Sequence, residues 1–155
     1  MGQVVGVIFD WGRTLYDPDV GAPFPDAPLV LASLAATYRL AIVSLVSGDD
    51  YTARGAARHA VLEEYDLARH FAAILFGQEN KDRLYREALD RLALPPTRVA
   101  VIDDRVIRGV AWGNRHGAMT IWLRKGKFRD ELPSGQAGLP THTIHQLTEL
   151  LGLLA

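Results

Sequence analysis

The chain has 155 residues, 48% of them hydrophobic, with 17 Lys+Arg against 18 Asp+Glu and no cysteine. That length suits one well-filled core, read as a single domain over residues 1–155, and the near-zero net charge without long like-charge runs argues against nucleic acid or an anionic membrane as partner. Lack of cysteine excludes disulfides, thiolate metal sites and cysteine nucleophiles; with no apolar run of about 18 residues and no signal-like start, the expected address is cytoplasmic.

The apolar run Val4-Val5-Gly6-Val7-Ile8-Phe9 stops at Asp10 and opens into Trp11-Gly12-Arg13-Thr14-Leu15, the pattern of a buried strand presenting a carboxylate at its C-terminal end. Open α/β sheets bind ligands along that edge, so Asp10 is a candidate nucleophile or metal ligand; the plainer reading is a turn or capping carboxylate. Pro18, Gly21, Pro23, Pro25 and Pro28 forbid regular helix over 16–28 and mark a loop. Leu29, Leu31, Leu34 and Ala35 predict a helix over 27–37, followed by a strand over 39–44 that ends on Ser44. Residues 50–69 read as helix and 71–76 as a third buried strand, after which Lys81 heads an amphipathic helix over 81–93 closed by Pro95-Pro96. Residues 99–102 form a fourth strand, running into Asp103-Asp104. A short helix over 107–115, a turn at Gly117, a strand over 118–123, a loop over 124–140, an edge strand at Thr143-Ile144 and a helix over 145–153 complete the chain.

Continuous apolar strands alternating with helices predict a parallel sheet covered on both faces. The expected fold is α/β: a doubly wound, three-layer Rossmann-like domain with a mostly parallel sheet of five to six strands. Neither Gly-x-Gly-x-x-Gly nor Gly-Lys-Ser/Thr occurs, so dinucleotide and P-loop sites lack their basic parts.

In such a sheet Asp10, Ser44, Lys81 and Asp103-Asp104 all fall on one edge. Carboxylates from neighbouring strands offer a hard oxygen site suited to Mg²⁺, Ser44 can donate to a phosphoryl oxygen, and Lys81 can neutralise the nucleophile and the developing phosphoryl charge. These parts suit phosphoryl transfer through an aspartyl phosphate on Asp10. Each also has a bland reading: Ser44 a local turn bond, Lys81 a solvated helix start, and Asp103-Asp104 a cap for the helix at 107, although adjacent buried acids repel unless a cation is near. Asp17 is read as structural, Asp49 and Asp50 as an N-cap for the next helix, and the five histidines lack metal-ligand spacing. Trp11 either packs under the site or shapes its mouth.

The ordered motifs Phe9-Asp10-Trp11-Gly12-Arg13-Thr14-Leu15-Tyr16-Asp17, Ala41-Ile42-Val43-Ser44, Asn80-Lys81 and Val101-Ile102-Asp103-Asp104, with the Gly117-Ala118-Met119-Thr120 turn and strand, resemble the haloacid dehalogenase-like superfamily across nearly the whole chain. The resemblance implies Asp10 as nucleophile, Ser44 as phosphate-binding hydroxyl, Lys81 as charge-stabilising lysine, and a Mg²⁺ site from Asp10, the Gly12 carbonyl and Asp104 or Asp103, with the spacing to Gly117 favouring Asp104. The implied substrate is a phosphorylated small molecule or a bulky, macromolecular phosphorylated one. Two departures stand out. Family phosphatases usually carry a general acid where this chain has Gly12, and a further acid where it has Gly109. Loss of general-acid catalysis costs about 10²–10⁴ in rate, which implies a slow phosphatase, an activated leaving group, or a degenerate domain that binds a phosphorylated ligand or protein without turnover. The short intervals from Asp10 to Ser44 and from Ser44 to Lys81 leave no room for a sizeable cap. A third reading, oligomeric use of the fold, is prompted by Trp112, Trp122 and the apolar run Leu150-Leu151-Gly152-Leu153-Leu154-Ala155.

Overall fold

Residues 2–78, 80–133 and 135–154 are described by a computed structural model. In chain order they form β1 (Gly6–Phe9), a small hairpin of β2 (Tyr16–Asp17) and β3 (Ala22–Pro23), α1 (Ala27–Ala35), β4 (Arg39–Leu45), α2 (Tyr51–Glu64), β5 (Phe71–Gly77), α3 (Lys81–Leu92), β6 (Val99–Asp103), α4 (Ala111–His116), β7 (Met119–Leu123), β8 (His142–Ile144) and α5 (Glu149–Leu153). Six of the strands make one sheet in the order β5-β4-β1-β6-β7-β8, every neighbouring pair parallel. The predicted doubly wound, Rossmann-like α/β architecture is the one observed.

The apolar runs are continuous because both faces of the sheet are covered, yet the strand period of two still sorts them. Val7, Phe9, Leu40, Ile42, Ala100 and Ile102 point to one core, with Val30 and Leu31 of α1, Leu62 of α2 and Leu150 of α5. Ile8, Ala41, Val43, Val99 and Val101 point to the other, against Tyr85, Ala88 and Leu92 of α3 and Trp112 of α4. Strand order reverses at β1, whose Phe9 pairs with Ile42 on one side and Ile102 on the other. The residue after Phe9 therefore stands at a topological switch point, where doubly wound sheets open a crevice.

Several boundaries differ from the sequence reading. The proline-rich 16–28 segment contains the β2–β3 hairpin. The helix expected over 50–69 ends at Glu64, because Asp66 takes a left-handed conformation (φ 56°) and a 3₁₀ turn over Ala68–His70 leads into β5. The helix expected over 107–115 opens instead as a π-turn over Val106–Val110 before α4. Only the last turn of the expected 145–153 helix forms: the Glu149 carboxylate accepts the backbone N–H groups of His145 and Gln146, holding them in a turn. Asp50 occupies the N-cap position of α2 but makes no side-chain cap bond, pairing with Arg54 instead. Ala155, the end of the apolar C-terminal run, lies outside the described residues.

Between β1 and β4 the described chain is a hairpin and one helix, and between β4 and β5 one helix and a turn, so no cap domain is inserted at either point. No helix among the described residues is long and apolar enough to cross a membrane.

Candidate active site

Asp10 follows β1 directly, its backbone N–H held by the Ile102 carbonyl of β6 at 3.1 Å. The chain then turns tightly, the Trp11 carbonyl accepting N–H groups from Thr14, Leu15 and Tyr16, with Arg13 in the left-handed region (φ 62°). This turn brings the buried Thr14 hydroxyl to 3.3 Å from Asp10 Oδ2. Asp10 Oδ1 faces Lys81 Nζ, also at 3.3 Å.

Lys81 is the first residue of α3, placed there because the Asn80 side chain caps that helix by accepting the Asp82 N–H. It is not a solvated helix start: it is 8% exposed and its ammonium bridges Asp10 and Asp103, the latter at 2.8 Å. Burial alone would pull the Lys81 pKa down, but the Asp10 and Asp103 charges outweigh it and hold it well above the ordinary lysine value. The ammonium also stands 5.5 Å from the centre of the Tyr85 ring.

The paired acids divide their work. Asp103 is fully enclosed; Oδ2 accepts from Lys81 and from the Gly109 N–H at 2.9 Å, and Oδ1 from the Arg105 N–H. Asp103 therefore holds the backbone N–H groups of Arg105, just before the π-turn, and of Gly109 within it, with Lys81 as the neighbouring cation. Burial pushes its pKa up, but Lys81 wins and holds it below the usual carboxylate range. Asp104 faces the open cavity, and its buried Oδ2 has no hydrogen-bond partner among the described residues. Burial, then the Asp103 and Asp10 charges, push the Asp104 pKa up to about 9. Burial likewise raises Asp10.

Carboxylate oxygens of Asp10, Asp103 and Asp104 lie within 4.8 Å of one another. An unpartnered carboxylate oxygen beside two further acids fits a hard divalent cation, which would satisfy the orphaned atom and draw Asp104 into its charged form. Asp104 and Asp10, which line the cavity, are better placed to hold such an ion than Asp103, whose oxygens are already engaged.

Across the cavity, of about 270 Å³, sits Ser44 on β4, buried and accepting from the Arg58 guanidinium at 3.1 Å. Arg58 also holds the Leu45 carbonyl at 3.1 Å. Arg13, Arg105 and Arg108 line the same mouth, giving it four arginines. Sequence reasoning gave no role to Thr14 or Arg58. Thr14 lies within the first motif, four residues beyond Asp10, and Arg58 reaches the site from α2 through its bonds to Ser44 and the Leu45 carbonyl at the end of β4.

Gly12 borders the cavity, and no atom lies within 4 Å of where its Cβ would stand. Gly109 is different. A Cβ there would lie 2.7 Å from Asp103 Oδ2 and 2.9 Å from the Tyr85 hydroxyl, so an acid at 109 has no space and its absence is not a simple deletion from the site. Trp11 is 2% exposed, stacks on Tyr16, and walls a hollow beside the site. Asp17 is structural, accepting the Asp19 N–H.

The doubly wound α/β fold thus gathers three carboxylates and a lysine at the switch point of its sheet, where such folds bind ligands. Residues 81–150 match the family model described as HAD-hydrolase-like. The chain is 29% identical over 72 residues to the glyceraldehyde 3-phosphate phosphatase of Methanopyrus kandleri, a match covering 46% of this chain and 31% of that protein. The alignment therefore spans about a third of the length of that curated relative. Among solved structures, the chain superposes on the putative HAD-hydrolase YfnB from Bacillus subtilis, described as bound to magnesium, with a TM-score of 0.80, 13% identity and 99% coverage of both chains. The HAD phosphatase from Thermococcus onnurineus superposes with a TM-score of 0.65 and 21% identity, over 86% of this chain and 58% of that one. The fold is that of the haloacid dehalogenase-like hydrolases, and the match over residues 81–150 is to a model of the same group.

Proposed function

We propose that the protein is a Mg²⁺-dependent phosphatase acting through an aspartyl phosphate on Asp10, slowed by the lack of an acid at position 12. The observation that carries this reading is Lys81 Nζ bridging Asp10 and Asp103 while Asp104 Oδ2 has no hydrogen-bond partner among the described residues. Thr14 and Lys81 each hold one oxygen of Asp10, which fixes the direction in which its carboxylate meets a phosphoryl group. Ser44 and Arg58 face it as donors for the equatorial phosphoryl oxygens, and Lys81 neutralises charge on the nucleophile. When bound by Asp10, Asp104 and the Gly12 carbonyl, the cation would supply further charge neutralisation and orient a phosphoryl oxygen. Asp103 acts at one remove, anchoring Lys81. The curated relative's phosphatase name and the magnesium of the Bacillus structure agree with this assignment. We place the protein in the cytoplasm, as one domain, acting on a phosphorylated small molecule or an exposed phosphoryl group on a larger one.

The test is a thermal melt of wild type and Asp10→Asn with Mg²⁺, with and without beryllium fluoride, a mimic of a phosphoryl group on a carboxylate. Wild type alone is expected to shift upward, and only with both additions; at 100 times the dissociation constant the gain is about 2.7 kcal/mol. An equal shift in Asp10→Asn would remove Asp10 from the mechanism. A protein that takes up phosphate but shows neither this shift nor turnover is the degenerate binding domain instead.

A further inference from the structure

Beside the phosphoryl end of the site lies a second hollow of about 210 Å³, walled by Trp11, Tyr16, Pro18, Ala57 and Val61. It joins the first through Gly12, Pro18 and Arg58, which line both. Its floor is aromatic: Trp11 and Tyr16 stack at 5.2 Å with their planes 17° apart. The volume falls below the roughly 300–1,000 Å³ of drug-sized pockets and suits a single ring. None of its lining residues is an Asp, Glu, His or Lys, and Arg58 stays protonated and so cannot serve as a proton donor in catalysis. The Tyr16 hydroxyl lies over Gly21. Between the hollows, the space beside Gly12 is empty to 4 Å.

Building on the phosphatase reading, we propose that the substrate is the phosphate monoester of a phenol. Its ring lies against Tyr16, Ala57 and Val61, above the buried Trp11, and its phosphoryl group lies between Asp10 and the Ser44–Arg58 pair. Two independent features converge on this class: a ring-sized apolar hollow continuous with the phosphoryl cavity, and the lack of any Asp, Glu, His or Lys among the residues that line that hollow. An oxygen of Asp10 forms a bond to phosphorus as the bond from phosphorus to the aryl oxygen breaks; the electron pair leaves on the phenolate, which takes its proton from solvent. A water oxygen then bonds to phosphorus, the bond to Asp10 breaks, and the carboxylate and orthophosphate are released, with the water proton passing to phosphate or solvent. A phenol ionises near pH 10, as tyrosine does at about 10, whereas an aliphatic hydroxyl, like water, ionises only far above that range. The phenolate can therefore leave unassisted where an alkoxide cannot.

The experiment compares kcat/KM of the full chain with Mg²⁺ for ring-substituted phenyl phosphates, glycerol phosphate, acetyl phosphate and a tyrosyl-phosphate peptide. Phenyl phosphates are expected to exceed glycerol phosphate by at least about 10²-fold, rising as the substituent makes the phenol more acidic. Gly12→Asp should narrow that gap by accelerating the alkyl ester. Ala57→Glu, at an exposed helical position, should raise KM for phenyl phosphate about tenfold relative to KM for acetyl phosphate, which has a good leaving group and no ring. Turnover of the peptide beside phenyl phosphate would make the natural phenol a tyrosine side chain; rejection of the peptide alone would make it a small aryl phosphate. Equal rates on phenyl and glycerol phosphates, or turnover of acetyl phosphate alone, would overturn the inference and leave the phosphatase standing. No turnover of any of them by wild type would overturn both.

Discussion

The Gly109 N–H donates to Asp103 Oδ2 at 2.9 Å, and a Cβ on Gly109 would come within 2.7 Å of that same oxygen. The close approach is what the π-turn over Val106–Val110 achieves: it lays backbone, not side chain, against the carboxylate that anchors Lys81. Gly109→Ala should therefore destabilise the protein by about 1–3 kcal/mol. Gly109→Asp should do worse, adding a buried charge beside Asp103. Urea unfolding reads both, and an unchanged midpoint in Gly109→Asp with tighter Mg²⁺ binding would show that the position tolerates the acid after all.

Asp10, Ser44, Lys81, Asp103 and Asp104 were legible as a constellation because three apolar runs end in Asp10, Ser44 and Asp103-Asp104, Lys81 follows shortly after a fourth, and a parallel sheet brings such ends to one edge. Their division of labour was not legible. Nothing in the order of Asp103 and Asp104 says that the first is saturated by Lys81, Arg105 and Gly109 while the second keeps an oxygen free. Gly109 read as a lost acid because a one-dimensional motif carries no volume. The 50–69 and 145–153 helices were overextended for a related reason: a left-handed Asp66 and the Glu149 side chain stop them, and neither leaves a periodicity signal.

Among the described residues Lys81 is the only cationic side chain bonded to Asp103, and both are buried. Removing one partner of such a pair strands a charge at a cost of about 3–5 kcal/mol. Lys81→Met is expected to lose that much stability as well as activity. The loss should shrink on acidification: with the lysine gone, the folded-state pKa of Asp103 rises, so protonation relieves the stranded charge. Chemical denaturation at two pH values separates this from a simple packing defect, which would be indifferent to pH.

With Asp104 as a ligand of the proposed cation, metal and proton would compete for its carboxylate. Without a cation its folded pKa is about 9, against an ordinary carboxylate value of 3.8, so across that window the folded state binds more protons than the unfolded one. Stability of the metal-free protein should accordingly fall as pH rises from about 4 to about 9. Mg²⁺ would bind the charged carboxylate, so the stabilisation it gives should be larger near the top of that window than at the bottom. Asp104→Asn should flatten the pH dependence and abolish the Mg²⁺ effect. Melting temperatures with and without Mg²⁺ across pH check all three, and a pH-independent Mg²⁺ shift would move the ion elsewhere.

Arg58 gives the sharpest test of a residue that the sequence motifs did not mark. One of its nitrogens, Nη1, spans Ser44 Oγ and the Leu45 carbonyl, both at 3.1 Å, and the side chain is half-buried between the phosphoryl cavity and the aromatic hollow. Burial lowers its pKa below the ordinary arginine value, a cost that a charged ligand in the cavity would offset. Arg58→Ala should weaken competitive inhibition by orthophosphate about tenfold, or roughly 1.4 kcal/mol. It should leave the fold intact, because the Arg58 hydrogen bonds to Ser44 and Leu45 sit at the edge of the cavity and not in the core. Arg58→Lys keeps the charge but not the planar fork that can hold Ser44 and a phosphoryl oxygen together, so it is expected to recover only part of the affinity. Full recovery by lysine would mean that Arg58 acts as a diffuse positive charge, and no change in alanine would leave phosphate recognition to Ser44 and Lys81 alone.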